Sequence, residues 1–343
     1  MPSSDRRSML TPATRRKYRS QRKQKQQEMV RYVSAVCLLV LLTVLFFMML
    51  SRSYEKQKNL VGFPSHESGS GALRGNAQPW VTPDSQPFNR NKRASQAQHL
   101  IVVAGHSVTV TGHLQDADQD EADWFLLDYQ RGQGLPQAIG AHIRAGIAEA
   151  AKDPQSLLMF SGGETRAVTG PFTEGSSYFH VADAMDMWPV SSDVRARTVT
   201  EEFATDSFEN LLFSICRFKE VTGSYPSKIT VVSFSFKQRR FETLHAPALG
   251  WPSRQFQYVG IDPPASTGFD LQASTHGEMQ NAALPFEKDP YGCNTPVLQE
   301  KRKSRNPFSR TPPYALTCPE LGELMKYCGT ELFPKEKLPW GRA

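Results

Sequence analysis

The 343-residue chain carries 40 Lys and Arg against 34 Asp and Glu, a formal net charge of +6. Ten of those cations and only two acids, Asp5 and Glu28, fall in residues 1–32, which leaves the rest near −2. A nucleic-acid footprint needs its basic charge on the folded domain, so this distribution argues against DNA or RNA as a partner.

Val33 to Leu50 is an eighteen-residue run without a charge. As a helix it spans about 27 Å, close to the hydrocarbon core of a thin bilayer. It has no polar face, as a core helix would, and no small-residue cleavage site, as a signal peptide would. A transmembrane anchor is therefore expected. The Lys and Arg on its amino side put the tail in the cytosol and the remainder in the lumen, in a single-pass, type II arrangement. The short span suits the endoplasmic reticulum or Golgi. The competing address is the mitochondrial inner membrane, although Arg15–Lys23 lacks the apolar face of a presequence. Residues 51–97, rich in Ser, Gly, Asn, Gln and Pro, read as a flexible stem.

From residue 98 the pattern becomes that of a folded domain. His99–Ala104 is a short apolar strand followed by Gly105 and His106. Pro136 opens a helix with Ile139, Ile143 and Ile147 at helical spacing. A strand follows at Leu157–Phe160, then helices over Gly175–Met187 and Ser207–Val221. The strand Ile229–Val232, a helix over Lys237–Ala248 and the strand Phe256–Val259 complete the series. Strand and helix alternate, which predicts an α/β fold over 98–262: a Rossmann-like parallel sheet with helices on both faces. Beyond Asp262 frequent prolines predict an irregular wrapping tail over 263–343, with a short helix near Cys318–Tyr327; were the domain a non-catalytic binding module, that tail would contact a protein partner. Its basic run Lys301–Arg305 reads as a solvated surface or a contact to the domain.

Cys37 lies in the apolar run, and Cys216 reads as a buried helix thiol. A lumenal redox state would allow one disulfide between two of Cys293, Cys318 and Cys328. No Cys-x-x-Cys spacing suggests zinc, and no metal site is expected. The acids Asp116, Asp118, Asp120, Glu121 and Asp123 lack the glycine and terminal glutamate of a calcium loop and read as a solvated turn.

Candidate site residues gather at strand ends, where open α/β sheets place ligand crevices. Ser161-Gly162-Gly163-Glu164 follows a strand, and its glycines either turn N–H groups towards an anion or simply make a loop. Glu174 heads one helix. Asp206 heads the next, with Glu209 three residues on in the positions of a capping box. Asn210 opens that helix's apolar face, where a buried amide must find partners. Ser233, Lys237, Arg239 and Arg240 follow a later strand and could hold phosphate or carboxylate.

In order and spacing these segments resemble the YdcF/SanA-like domain of unknown function. The resemblance rests on Val102–Gly105, Ser161-Gly162-Gly163, Glu174, Glu201-Glu202, Ala204–Asn210 and the Ser233…Arg239 segment, and covers residues 99–262. It implies a Rossmann-like sheet and a nucleotide-like ligand, S-adenosylmethionine in one bacterial member, with no settled reaction. The family commonly has a histidine where this chain has Phe236. The expected ligand-binding set is Gly105, His106, Ser161, Gly162, Gly163, Asp206, Asn210, Ser233 and Arg239. Glu164, Glu174 and Glu209 are the acid/base candidates for an enzyme. The alternative is a non-catalytic binding or assembly module in cell-envelope or glycan biogenesis.

Overall fold

The computed structural model describes residues 94–190 and 192–341. The expected cytosolic tail, anchor and nearly all of the stem lie outside the described residues. Among those described, no helix is long and apolar enough to cross a membrane.

The five strands β1 (His99–Ala104), β2 (Ser156–Ser161), β3 (Thr198–Glu201), β4 (Lys228–Ser233) and β5 (Phe256–Gly260) form one parallel sheet. They are joined in turn by α1 (Leu135–Lys152), α2 (Glu174–Ala184), α3 (Ser207–Thr222) and α4 (238–248). Their order, 3-2-1-4-5, is consistent with a Rossmann-like arrangement. The apolar runs are explained by burial on both faces. Leu100 and Val102 face α3, whereas Ile101 and Val103 face α1 and α2. Ile139, Ile143 and Ile147 form the buried stripe of α1. Asp206 caps α3, with Oδ1 accepting from the Glu209 N–H at 2.9 Å, and Gly223 ends the helix in the left-handed region at φ 79°. After β3 the chain crosses back over β1 to lay down β4. The carboxyl ends of β1 and β4 thus flank the point where the strand order reverses, which is where such sheets open a crevice.

Strand β3 was not expected. It is four residues, Thr-Val-Thr-Glu, pairing on one side with β2 at the sheet edge. Short, polar edge strands protect a sheet from further pairing, and for the same reason leave little hydrophobic signal.

The carboxyl-terminal segment departs further from expectation. Instead of a mostly irregular tail it forms α5 (271–288), α6 (Pro296–Ser304) and two single-turn helices, Tyr314–Thr317 and Gly322–Met325, the last within the stretch where a short helix was expected. Phe286, Leu298, Tyr314, Leu321, Phe333 and Trp340 join the same hydrophobic core as α3. The segment is one layer of the domain. Two disulfides hold it, Cys216–Cys318 and Cys293–Cys328, with Cα separations of 5.5 and 5.8 Å. The reading of Cys216 as a free thiol and of a single bridge is thereby corrected. Cys216 lies on the α3 face that the segment covers, and a reading that treated the segment as an appendage could not bring Cys318 to it. The acidic turn also differs in part: Asp118 is buried beside Arg144, and Asp123 is buried and accepts from Thr111 Oγ1 at 2.6 Å.

Candidate functional site

At the carboxyl ends of β1 and β4 lies a cavity of about 640 Å³. Gly105 and His106 follow β1 into its wall, Ser233 ends β4 and Phe234 follows it, and Glu174, Asp206 and Asn210 enter from the starts of α2 and α3. Six of the residues expected to bind ligand or act in catalysis are thus brought together: Gly105, His106, Glu174, Asp206, Asn210 and Ser233.

The Gly-Gly turn lies beneath the cavity. The Gly162 N–H donates to Glu201 O at 3.0 Å, that of Gly163 to Ala204 O at 2.8 Å, and that of Gly105 to Ser161 O at 2.7 Å. These donors are spent on carbonyls, so the turn does not cradle an anion. The glycines are required by packing instead: at Gly162, φ 157°, a Cβ would stand 2.6 Å from Glu174 Oε2. Ser161 is buried as well, donating to Glu201 Oε2 at 2.7 Å and accepting from Asn210 Nδ2 at 2.9 Å. Asn210 Nδ2 also reaches Ser161 O at 3.0 Å, so this amide ties α3 to the end of β2.

Two acid/base candidates are committed elsewhere. Glu164 is paired with Arg310 at 2.6 Å. Glu209 accepts from Thr205 N at 2.8 Å and stands 3.4 Å from Arg302, which also holds Asp206 at 2.7 Å. Burial and the neighbouring Asp206 push the Glu209 carboxyl up, while Arg302 outweighs burial at Asp206 and holds it down. Arg239 is half-exposed and pairs with Glu287 away from the cavity. Glu174 alone of the three presents its carboxylate to the cavity, with Oε1 accepting from Thr165 Oγ1 at 2.6 Å.

Of the cations that define the site, the sequence reading named Lys237 and Arg240 as possible anion holders and missed Arg166, Lys301 and Arg305. Arg166, Lys237, Arg240, Lys301 and Arg305 all line the cavity. Arg240 is answered by Glu278, with Nη2 at 3.1 Å from Oε2. The other four have no carboxylate within ion-pair distance among the described residues. Lys301 Nζ donates to Asn281 O at 2.9 Å, Arg305 Nη1 to Thr205 O at 3.1 Å, and Arg166 Nε is buried without a partner in the protein. Desolvation, then repulsion from Arg240 and Arg305, brings Lys237 down to about 7. Desolvation and the same two arginines bring Lys301 down to about 8. Lys301 and Arg305 belong to the run read as solvated surface or a contact to the domain, and it is the second: Arg302 between them pairs with Asp206 and Arg305 reaches Thr205 O. Helical spacing puts residues four apart on one face, so the 301/305 pair was a readable signal once the helix was placed.

Opposite chemistry lines another wall. His106 and Phe234 stack at 4.5 Å between centroids, Phe234 and Phe236 at 4.9 Å, and Phe236 and Phe269 at 6.0 Å. Phe236 is a member of this column.

Ser207 Oγ lies 2.8 Å from His245 Nε2 and also meets Arg240, which has the outline of a nucleophile and its base. Desolvation and Arg240 hold His245 well below its usual range, so taking a second proton there would be costly. The pair orients Arg240.

Over 233 aligned residues the chain is 32% identical to the uncharacterized protein YOR238W of Saccharomyces cerevisiae, covering 54% of this chain and 76% of the yeast protein. The chain belongs to the family of that yeast protein. No family model matches it, and no solved structure does.

Behind the site, Glu201 closes β3 fully buried. Burial pushes its carboxyl up to about 7, against hydrogen bonds from Ser161, the Phe203 and Ala204 N–H groups and Tyr314. The folded state then holds this proton more tightly than the unfolded chain does. The resulting stability is complete below the ordinary carboxylate range and is lost as pH rises to about 7. A difference of that size is worth about 3 kcal/mol. Urea unfolding of the native chain and Glu201→Gln, compared from pH 4.5 to 8, should show the native chain losing about that much relative to the variant. A difference that stays constant with pH would mean that the buried carboxyl does not titrate there.

Proposed function

We propose that this domain binds a small phosphorylated ligand in the cavity at the carboxyl ends of β1 and β4. The observation that carries the reading is the convergence there of Arg166, Lys237, Lys301 and Arg305 with no carboxylate partner among the described residues. Glu174, Asp206, Asp270 and Glu278 also line the cavity, but none of them pairs with these four groups, and a phosphate placed among the four would offset the cost of their burial. The stacked aromatic column offers an apolar wall to a planar or hydrophobic part of the same ligand, which favours a nucleotide-like molecule. A Rossmann-like sheet with its crevice at the strand-order reversal supports the same choice, as does the resemblance to YdcF/SanA-like domains. S-adenosylmethionine, which carries a sulfonium and an ammonium, suits this wall less well than a phosphate does. The alternative of a non-catalytic binding or assembly module is favoured by one observation: Glu164 and Glu209 are held in ion pairs with Arg310 and Arg302. The membrane anchor at Val33–Leu50 and a lumenal domain complete the proposal, supported by two disulfides that need an oxidising compartment.

Thermal and urea unfolding of the full chain against pyrophosphate, nucleoside di- and triphosphates and S-adenosylmethionine tests the ligand class. A phosphate at 100 times its dissociation constant should add about 2.7 kcal/mol. If no phosphate compound stabilises the chain, the reading fails.

A further inference from the structure

One cation of the cavity stands apart from the rest. Arg240 has Glu278, and Lys301 and Arg305 donate to main-chain oxygens. Lys237 has none of these. Its Nζ lies 3.3 Å from His106 Nδ1 and over the faces of Phe234 and Phe236, 4.9 and 5.8 Å from their centroids. His106 in turn reaches Ser233 Oγ through Nε2 at 3.2 Å. The amine therefore sits between an imidazole and two aromatic faces, where burial and repulsion from Arg240 and Arg305 outweigh the attraction of Glu278 and Glu174. Two arginines that cannot lose their own protons stand close enough to depress its proton affinity, and burial adds to them. A lysine desolvated beside other cations keeps a free lone pair near neutral pH, and that lone pair is what carbonyl chemistry uses.

We propose that Lys237 is the reactive amine of this cavity and forms an imine with the carbonyl carbon of a phosphorylated aldehyde or ketone. The inference rests on the reading of the cavity as a phosphate site, with Arg166, Lys301 and Arg305 holding the phosphate. The Nζ lone pair attacks the carbonyl carbon to give a carbinolamine. The carbonyl oxygen then leaves as water with the two hydrogens lost from nitrogen, and a C=N bond replaces C=O. No oxidant or reductant is consumed. Arginine could not do this, and Lys301, whose Nζ is directed to Asn281 O, is the internal comparison.

The test is reductive trapping on the full chain at pH 7 with pyridoxal 5′-phosphate and sodium cyanoborohydride, which spares the disulfides, followed by peptide mapping. An ordinary lysine is free amine in only about one molecule in 2,500 at that pH. The expected result is one adduct per chain on Lys237, formed about tenfold or more faster than on any other lysine. Excess pyrophosphate should suppress it, and pyridoxal without the phosphate should label it about tenfold more slowly. Labelling spread over many lysines, or falling on Lys301 with Lys237 unmodified, overturns the inference. If pyrophosphate stabilises the chain yet Lys237 is not trapped, only the reactive amine is lost. If pyrophosphate does not bind at all, the phosphate site falls as well.

Discussion

Replacing Cys216 and Cys318 together by alanine is expected to lower the unfolding free energy by about 4 kcal/mol. The bridge spans 102 residues and encloses β4, α4, β5, α5 and α6. Closing so long a loop removes much of the unfolded chain's freedom, about 4.7 kcal/mol in the simplest chain-entropy treatment. Cys293–Cys328, at a separation of 35, lies partly inside the same loop, so it recovers some of that constraint when the larger bridge is lost. The native fold should survive, because Phe286, Leu298, Tyr314 and Leu321 remain buried against α3 whether or not the sulfurs are joined. Urea midpoints of the variant and the native chain under oxidising conditions measure the loss. A difference below about 1 kcal/mol would mean that the packed segment holds itself in place without the covalent tie.

That tie bears on the site, because Lys301 and Arg305 are presented by the segment it secures. The same fact explains what the sequence could and could not reveal. Strands β1, β2 and β4 are apolar runs buried on both faces, and α1 and α3 carry regular buried stripes, so the sheet and its neighbouring helices were legible. Residues at the carboxyl ends of those strands, Gly105, His106 and Ser233, fell in the cavity for the same reason: the topology alone puts them there. Legibility failed where function depends on contacts between distant segments. Glu164 looks like a ligand-loop carboxylate until Arg310, 146 residues away, is seen to hold it. Gly162 and Gly163 look like anion donors until Glu201 O and Ala204 O are found to occupy them. Lys301 and Arg305 look like surface charge until Phe286 and Leu298 are seen to bury the neighbouring parts of their segment. In each case the local pattern was right about residue type, and the partner that decided its role lay beyond any sequence window.

Arg305→Ala should weaken anion binding by about tenfold to a hundredfold at pH 6, the worth of one charge-assisted hydrogen bond to a bound oxyanion. Sulfate is the probe of choice, since its charge does not change over the range tested. The variant should also move the pH at which binding declines. In the native chain Lys237 at about 7 and Lys301 at about 8 are charged at pH 6 and largely neutral by pH 9. Sulfate favours their charged forms, so affinity should fall as pH rises through 7 to 8, by about tenfold per pH unit for each amine that must take up a proton. Arg305 is one of the charges that hold both amines down. Its removal lets them keep their protons to higher pH, and the decline should shift upward even as the affinity at pH 6 drops. A purely structural role for Arg305, through its bond to Thr205 O, would weaken binding without moving that midpoint. Calorimetric titrations of sulfate from pH 6 to 9 on both chains separate the two. An unmoved midpoint would show that Arg305 does not set the charge of the amines it faces.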